Sequence, residues 1–277
     1  MGSVTDWTDL WRELSQMPRH RRHAGADGGD PWQERARVYQ ARAGRRWCRP
    51  DSSRETVAAH VAAVPDATLL DVGAGTGAWA AYLAPRAARI TAVEPSPSMI
   101  AVMRENLAAQ GITNVDIVQA AWPADGVAAH DFSLCAHAMY GATDLPGFVR
   151  RIEQVTRRTC FLVLRAPSAD GVMAEAARRV WGHPHDGPSF QIAYNVLLQM
   201  GIRANVLFEE AGLWDPRSST SLEEALGEVK RRLALGTGEH DAYLLELLRR
   251  RLHEEDGRLI WPCDMRSALV YWRPGVD

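Results

Sequence analysis

Leu69-Leu70-Asp71-Val72-Gly73-Ala74-Gly75-Thr76-Gly77-Ala78-Trp79 decides the fold of this 277-residue chain. An apolar run that ends in an acid, breaks into glycines at alternate positions and then enters alanine-rich sequence reads as strand, tight turn and helix, built around something lying on the backbone. Glycine is needed there because a Cβ would hold a ligand away and because such turns use φ above zero. Ile90-Thr91-Ala92-Val93 follows as a second strand, closed by Glu94-Pro95-Ser96.

Two ligand classes share this pattern. Gly73, Gly75 and Ala78 fit the loose dinucleotide pattern G-x-G-x-x-G/A with an acid about 20 residues later, which keeps an NAD-dependent oxidoreductase open as an alternative. Asp71 two residues before the first glycine, Gly77 extending the loop to G-x-G-x-G, and Glu94 before Pro95-Ser96 resemble instead the class I S-adenosylmethionine-dependent methyltransferases. The resemblance implies S-adenosyl-L-methionine as cofactor and S-adenosyl-L-homocysteine as product. It puts Asp71, Gly73, Ala74, Gly75 and Gly77 beside the methionine and ribose parts, with Pro95, Ser96 and Met99 after them. It gives Glu94 both ribose hydroxyls, and a carboxylate suits a vicinal diol because its two oxygens can take both donors. Family members often carry an acid near Ala120 or Ala121 for the adenine amino group. This chain has none there, which leaves Ala121, Trp122 and backbone groups as adenine contacts and Asp125 as a candidate substitute.

The rest of the chain extends the pattern. Residues 98–110 read as a helix ended by Gly111; 115–118, 132–135 and 159–164 read as third, fourth and fifth strands, the last apolar or β-branched at most positions, as a strand buried on both faces should be. Strands separated by helices imply parallel pairing with right-handed crossovers, and ligands in such sheets sit beyond the strands' carboxyl ends. Asp71, Glu94, Ala121 and His137 fall there. Residues 169–181 and 190–200 read as helices, 205–208 as the sixth strand and 268–272 as the last. Between those two strands lie a capping box at Ser221-Leu222-Glu223-Glu224, opening a helix to about 235, and a second helix over 241–253. Their basic runs, Lys230-Arg231-Arg232 and Arg249-Arg250-Arg251, read as solvated surface. The expected fold is α/β, a seven-stranded mostly parallel sheet with helices on both faces (a Rossmann-like methyltransferase fold) whose sixth and seventh strands form an antiparallel pair. Residues 1–64 form an N-terminal helical cap and 65–277 the methyltransferase domain, with lid or insertion segments at about 169–189 and 213–260.

Within the cap, 24–31 is a flexible break, 32–47 an amphipathic helix carrying Trp32, Ala36, Tyr39 and Ala43 at helical spacing, and 54–64 a second helix. The first fifty residues hold the cluster Arg19-His20-Arg21-Arg22-His23 and read as a solvated, partly disordered tail; an RNA or protein substrate docked on it is the alternative. A net charge of −2 argues against general attraction to nucleic acid. No apolar run approaches the length of a membrane span, and the start lacks a signal-peptide shape, so a cytoplasmic protein, monomer or homodimer, is expected. Cys48, Cys135, Cys160 and Cys263 are scattered, suggesting neither zinc nor a disulfide frame, and no metal is assigned.

Methyl transfer from a sulfonium depends chiefly on in-line alignment, and a hydroxyl or ammonium acceptor must also lose a proton. His137, after the fourth strand where the resemblance implies a loop that meets both the methyl group and the acceptor, is a candidate cofactor contact and the candidate base, with Tyr140 one loop step on as the second catalytic candidate. Tyr39, Arg165, His183, His185, Tyr194 and Asn195 are the candidate substrate residues. The fourth strand lacks the N-P-P-Y or D-P-P-Y of nucleobase amine methylation and the Pro-Cys of cytosine C5 methylation, carrying Cys135-Ala136-His137-Ala138 instead. A small-molecule acceptor, methylated on oxygen, is the leading reading. A cofactor-binding protein without catalysis is a further alternative.

Overall fold

The computed structural model describes residues 5–18, 29–209 and 214–275. The glycine-loop strand β1 (Thr68–Val72) pairs in parallel with β2 (Arg89–Val93) on one side and β4 (His130–Ala136) on the other. β3 (Val115–Val118) extends the sheet beyond β2, and β5 (Thr156–Pro167) pairs in parallel with β4. The long closing strand β10 (Met265–Trp272) lies between β5 and β6 (Asn205–Phe208), antiparallel to both, so the order is β3-β2-β1-β4-β5-β10-β6. The order reverses between β1 and β4, and a crevice opens beyond the carboxyl ends of strands at such a switch point.

Alternation along the strands supplies two cores. Leu70, Val72, Cys135, Leu162, Leu164 and Val270 face one layer, completed by α6 (Leu145–Gln154) and α8 (Phe190–Gln199). Leu69, Leu134, Phe161, Val163 and Leu269 face the other, completed by α3 (Ser52–Ala62) and α4 (Ala78–Leu83). α5 (Pro97–Ala109) follows β2 and buries Met103 and Leu107 with Ala92. The helix expected over 32–47 begins later: residues 31–35 form turns, and α2 (Ala36–Trp47) packs Ala36 with Met99 and Val102 of α5.

The solvated tail expected at the N-terminus is corrected in part. α1 (Trp7–Ser15) is capped by Asp6, whose carboxylate accepts from the Thr8 and Asp9 amides. Trp11 is fully buried and its indole N–H donates to the Ala142 carbonyl at 2.7 Å. The arginine-histidine cluster at 19–23 and most of the break at 24–31 lie outside the described residues.

The insertion is larger than two helices. α7 (Val172–Trp181), α9 (Leu222–Arg232) and α10 (Asp241–Arg251) share a separate core built on Met173, Ala177, Val229, Leu244, Leu248 and Trp261. Short strands β7 (Ser218–Ser219), β8 (His253–Glu255) and β9 (Arg258–Ile260) form a second sheet, order β7-β9-β8, that the sequence did not signal. The basic runs are also more than solvated surface. Arg250 and Arg251 both reach Glu175 of α7, Lys230 pairs with Asp241 at 2.8 Å and Arg232 with Asp186 at 2.5 Å, so these charges fasten the insertion to itself. In the capping box Ser221 Oγ accepts from the Glu224 amide, but the Glu224 carboxylate reaches back to Thr220 rather than to Ser221.

Candidate functional site

The three loop glycines have left-handed φ values, +70° at Gly73, +57° at Gly75 and +79° at Gly77, and each omits its Cβ for a different reason. At Gly73 a Cβ would fall 2.2 Å from the Ala138 Cβ, and at Gly77 2.5 Å from the Met103 Cγ. At Gly75 the nearest atom is the Tyr39 Cε1 at 4.0 Å, so this position alone faces open space. Gly73 borders two cavities: a larger one of about 470 Å³ bordered also by Asp30, Trp32, Pro95, Ser96, Ala121 and Trp122, and a smaller one of about 90 Å³ bordered also by Tyr39, Arg46, Asp71, His137, Trp214 and Ser267.

Glu94 ties the loop together at the edge of the larger cavity. Its Oε2 accepts from the Gly75 amide at 2.8 Å and its Oε1 from the Ser96 amide at 3.0 Å. Each oxygen therefore keeps one lone-pair site, which is the capacity a ribose diol requires. Asp30, which sequence reasoning missed, caps the start of α5: it accepts from Ser96 Oγ at 2.8 Å and from the Ser98 amide at 2.9 Å. Burial opposes its charge, but hydrogen bonds from Ser98, Trp32 and Ser96 prevail and hold its carboxyl below the usual range.

Asp71 is 1% exposed, and its Oδ2 has no hydrogen-bond partner among the described residues. Burial first, and the nearby Glu94 charge second, push its carboxyl up to about 7. A buried, orphaned carboxylate oxygen beside an open glycine calls for a cationic donor. The α-ammonium of S-adenosylmethionine meets that need, while Glu94 meets the diol, so the residues fit the cofactor.

His137 begins the loop after β4 with φ +57°, a conformation that costs a non-glycine residue roughly 1 kcal/mol. Its Nδ1 lies 2.9 Å from the Tyr140 hydroxyl, which accepts from the Arg165 backbone N–H at 2.7 Å. Tyr140 is buried, and among the described residues its only acceptor for the phenolic hydrogen is that Nδ1. Tyr140 therefore donates to Nδ1, and the neutral imidazole carries its own hydrogen on Nε2, 3.5 Å from Ser267 Oγ. Burial, then Arg46 and Arg165, push the imidazole down to about 3, so it is uncharged at neutral pH. Ser267 Oγ also accepts from the Trp214 indole N–H at 3.2 Å, and the Trp214 ring stands edge-on to His137 at 5.5 Å.

Residues 69–159 match the profile of a family described as a methyltransferase domain, a span that runs from the glycine loop through the start of β5. By that match residues 69–159 are a methyltransferase domain, and the sheet that carries them has the Rossmann-like methyltransferase fold. Two solved structures share the fold of this chain. The YcgJ protein from Bacillus subtilis is 15% identical, with a TM-score of 0.52 over 79% of this chain and 97% of its own. A Bacillus halodurans C-125 protein described as a candidate methyltransferase is 17% identical, with a TM-score of 0.53 over 82% of this chain and all of its own. A search of curated protein sequences finds no significant match.

The cleft gathers most of the residues expected from sequence but not all. Asp71, Gly73, Ala74, Gly75, Pro95, Ser96, Ala121, Trp122, Tyr39 and His137 border the two cavities, and Tyr140 supports His137 from behind. Met99 lies buried beneath Trp32 and Tyr39, and Gly77 serves the loop's turn; neither borders a cavity. Asp125 is exposed and borders neither cavity. His183 and His185 pack with Trp181 and with Trp7 of α1, away from both cavities. Tyr194 donates to the Ala204 carbonyl at 3.0 Å and Asn195 to Gln191 one helical turn back, so both are structural in α8. Arg165 stacks on Tyr140, its guanidinium carbon 4.0 Å from the ring centre. Besides Asp30, sequence reasoning missed Arg46, Trp214 and Ser267, which come from three segments distant in the chain and follow no local motif. Among the described residues no helix is long and apolar enough to cross a membrane.

Proposed function

We propose that this methyltransferase acts on a small acceptor molecule held in the smaller cavity, with transfer to oxygen. The supporting observation is that Gly73 borders both cavities: the larger takes the nucleoside, and the smaller, about 90 Å³ and walled by α2, Asp71 and Trp214, receives the methionine end of the cofactor, its methyl group and the acceptor. When bound, the cofactor supplies an electrophilic methyl carbon: a bond forms from an acceptor lone pair as the sulfur–methyl bond breaks, leaving S-adenosylhomocysteine. The protein's part is alignment, which is worth several powers of ten in rate for a well-positioned pair. Asp71 takes the ammonium, Glu94 the diol, and Ala121 and Trp122 the base.

His137, expected as the base, enters the cleft as a donor. With Nδ1 committed to Tyr140, the nitrogen facing Ser267 and the cavity carries hydrogen, and an imidazole whose pKa lies near 3 holds a proton too weakly to remove one from an alcohol. Its proposed role is to orient an acceptor oxygen that is already ionised. The test is a methyl-transfer screen with radiolabelled cofactor over small phenols, carboxylic acids, alcohols and amines. Turnover confined to acids and acidic phenols supports the reading, whereas robust turnover of simple alcohols contradicts it.

A further inference from the structure

We propose that Arg46 is the receptor for the cofactor's α-carboxylate, so that the amino-acid end of the cofactor, rather than its nucleoside, fastens the cap helix α2 across the cleft. This deepens the methyltransferase reading above and rests on it. Arg46 and Asp71 border the same cavity of about 90 Å³ and carry opposite charges, yet they form no ion pair with each other. Asp71 Oδ2 has no hydrogen-bond partner, and Arg46, half-buried at the end of α2, has no acid and no hydrogen-bond acceptor among the described residues. Its guanidinium carbon lies 4.6 Å from the centre of the Trp214 ring, a stacking contact that leaves its five donors open. An anionic and a cationic group held apart in one small cavity match the two charges of an α-amino acid.

The other donors of the cavity are largely committed. The Gly73 and Ala74 amides donate to the Val93 carbonyl at 2.8 and 3.1 Å, the Gly77 amide to the Ala74 carbonyl at 2.9 Å and the Gly75 amide to Glu94 Oε2 at 2.8 Å. Arg54, the other guanidinium bordering the cavity, is held by Asp51 at 3.2 Å and by the Trp47 carbonyl at 2.8 Å. Ammonium and carboxylate stand on one carbon of the cofactor, so an ammonium at Asp71 brings the carboxylate into this cavity, where Arg46 is the cation that lacks an anion. A planar fork receives a carboxylate in two parallel hydrogen bonds.

The placement of Arg46 on α2 gives that contact a second consequence. Tyr39, Ala43 and Arg46 fall at positions i, i+4 and i+7 of the helix and border the cavity together, so one face of α2 is turned to the cleft. Tyr39 stands across from the open Gly75. Elsewhere α2 is tied to the domain by Ala36 against Met99 and Val102, by Trp47 against Trp79 at 5.5 Å, and by Arg37 with Glu105 at 2.9 Å, an exposed pair of a kind that contributes little. A cofactor with its ammonium on Asp71 of β1 and its carboxylate on Arg46 of α2 joins the two through its own amino-acid end. Trp214, hydrogen-bonded to Ser267 of β10, gives the guanidinium its seat, and His137 Nε2–H remains for the acceptor.

The experiment compares, by calorimetry, S-adenosylhomocysteine, its decarboxylated analogue, which keeps the amine, and 5′-methylthioadenosine, which lacks both groups. Wild-type protein should bind S-adenosylhomocysteine roughly tenfold or more tighter than the decarboxylated analogue, the scale of one charged hydrogen bond. Arg46→Met, checked for native circular dichroism, should shrink that preference to within about twofold and leave the affinity for the other two compounds within about twofold of wild type. Arg46→Lys should keep part of the preference, since it retains the charge without the fork. Binding and fastening are reciprocal, so saturating S-adenosylhomocysteine should slow hydrogen exchange of the α2 amides at 39–46 by up to about tenfold more than the saturating decarboxylated analogue does. Equal affinity for the two compounds in wild type, a preference that survives Arg46→Met, or an equal loss of affinity for all three compounds in that variant overturns the carboxylate assignment. Equal exchange with both saturating ligands overturns the fastening of α2. Wild-type protein that binds none of the three adenosyl compounds would instead bring down the methyltransferase reading itself.

Discussion

Replacing Asp71 by asparagine should make the ligand-free protein more stable and the cofactor complex weaker, with both effects dependent on pH. Burial and the Glu94 charge raise the Asp71 carboxyl from 3.8 to about 7 in the folded chain. The folded state therefore binds more protons than the unfolded chain between about pH 4 and pH 7, and stability falls as pH rises through that window. The shift corresponds to at most about 4 kcal/mol once the group is fully ionised. Asp71→Asn removes the buried charge while keeping the shape. Its melting temperature should match wild type near pH 3.5 and exceed it increasingly as pH rises to 8. Cofactor binding should show the opposite sign, because the ammonium requires the charged carboxylate. At pH 6 about nine in ten wild-type molecules must release a proton on binding, falling towards half at pH 7. Calorimetry of S-adenosylhomocysteine in buffers of different ionisation enthalpy reads this proton number directly. A binding enthalpy at pH 6 independent of buffer, or wild-type affinity in Asp71→Asn, would refute the role assigned to Asp71.

Four further outcomes follow from the contacts. Glu94→Gln should weaken S-adenosylhomocysteine by on the order of 1.5 to 3 kcal/mol, the worth of a hydrogen bond to a charged group, and calorimetry giving an unchanged affinity removes Glu94 from the ribose. Gly73→Ala sets a Cβ 2.2 Å from Ala138 at a left-handed φ, so chemical denaturation should show a loss of about 1 to 3 kcal/mol. Trp11→Ala empties a fully buried site and drops the hydrogen bond to Ala142, which should cost roughly 3 to 5 kcal/mol in the same assay. Nitrogen NMR should find His137 neutral with hydrogen on Nε2 and titrating well below pH 5; a midpoint near 6.5 contradicts the geometry.

The cofactor half of the cleft was legible because its requirements are local. A glycine that must admit a ligand, as at Gly75, and an acid that must end a strand, as at Glu94, leave their marks within a few residues of each other. The sheet was legible for a similar reason: buried parallel strands such as 159–164 are apolar at most positions, and the observed β5 merely runs longer at both ends. The other side of the smaller cavity was not legible. Arg46, His137, Trp214 and Ser267 lie on α2, the loop after β4, the segment before β7 and β10, and only the completed fold brings them together. Asp30 was hidden among glycines whose composition signals a break, although its carboxylate caps a helix some seventy residues further along. His183, His185, Tyr194 and Asn195 misled because polar residues beside a plausible lid resemble a binding surface, whereas their hydrogen bonds and ring contacts are spent inside the scaffold. The insertion's basic runs misled for the opposite reason, since their acid partners Glu175 and Asp186 lie in a different segment.

The most direct measurement is calorimetric titration of the purified protein with S-adenosylmethionine and S-adenosylhomocysteine, with NAD and NADH in parallel. Saturable micromolar binding of the sulfonium cofactor and its product, with no heat from either nicotinamide, is the predicted result. Silence from the first pair, or binding of NADH in its place, would contradict it.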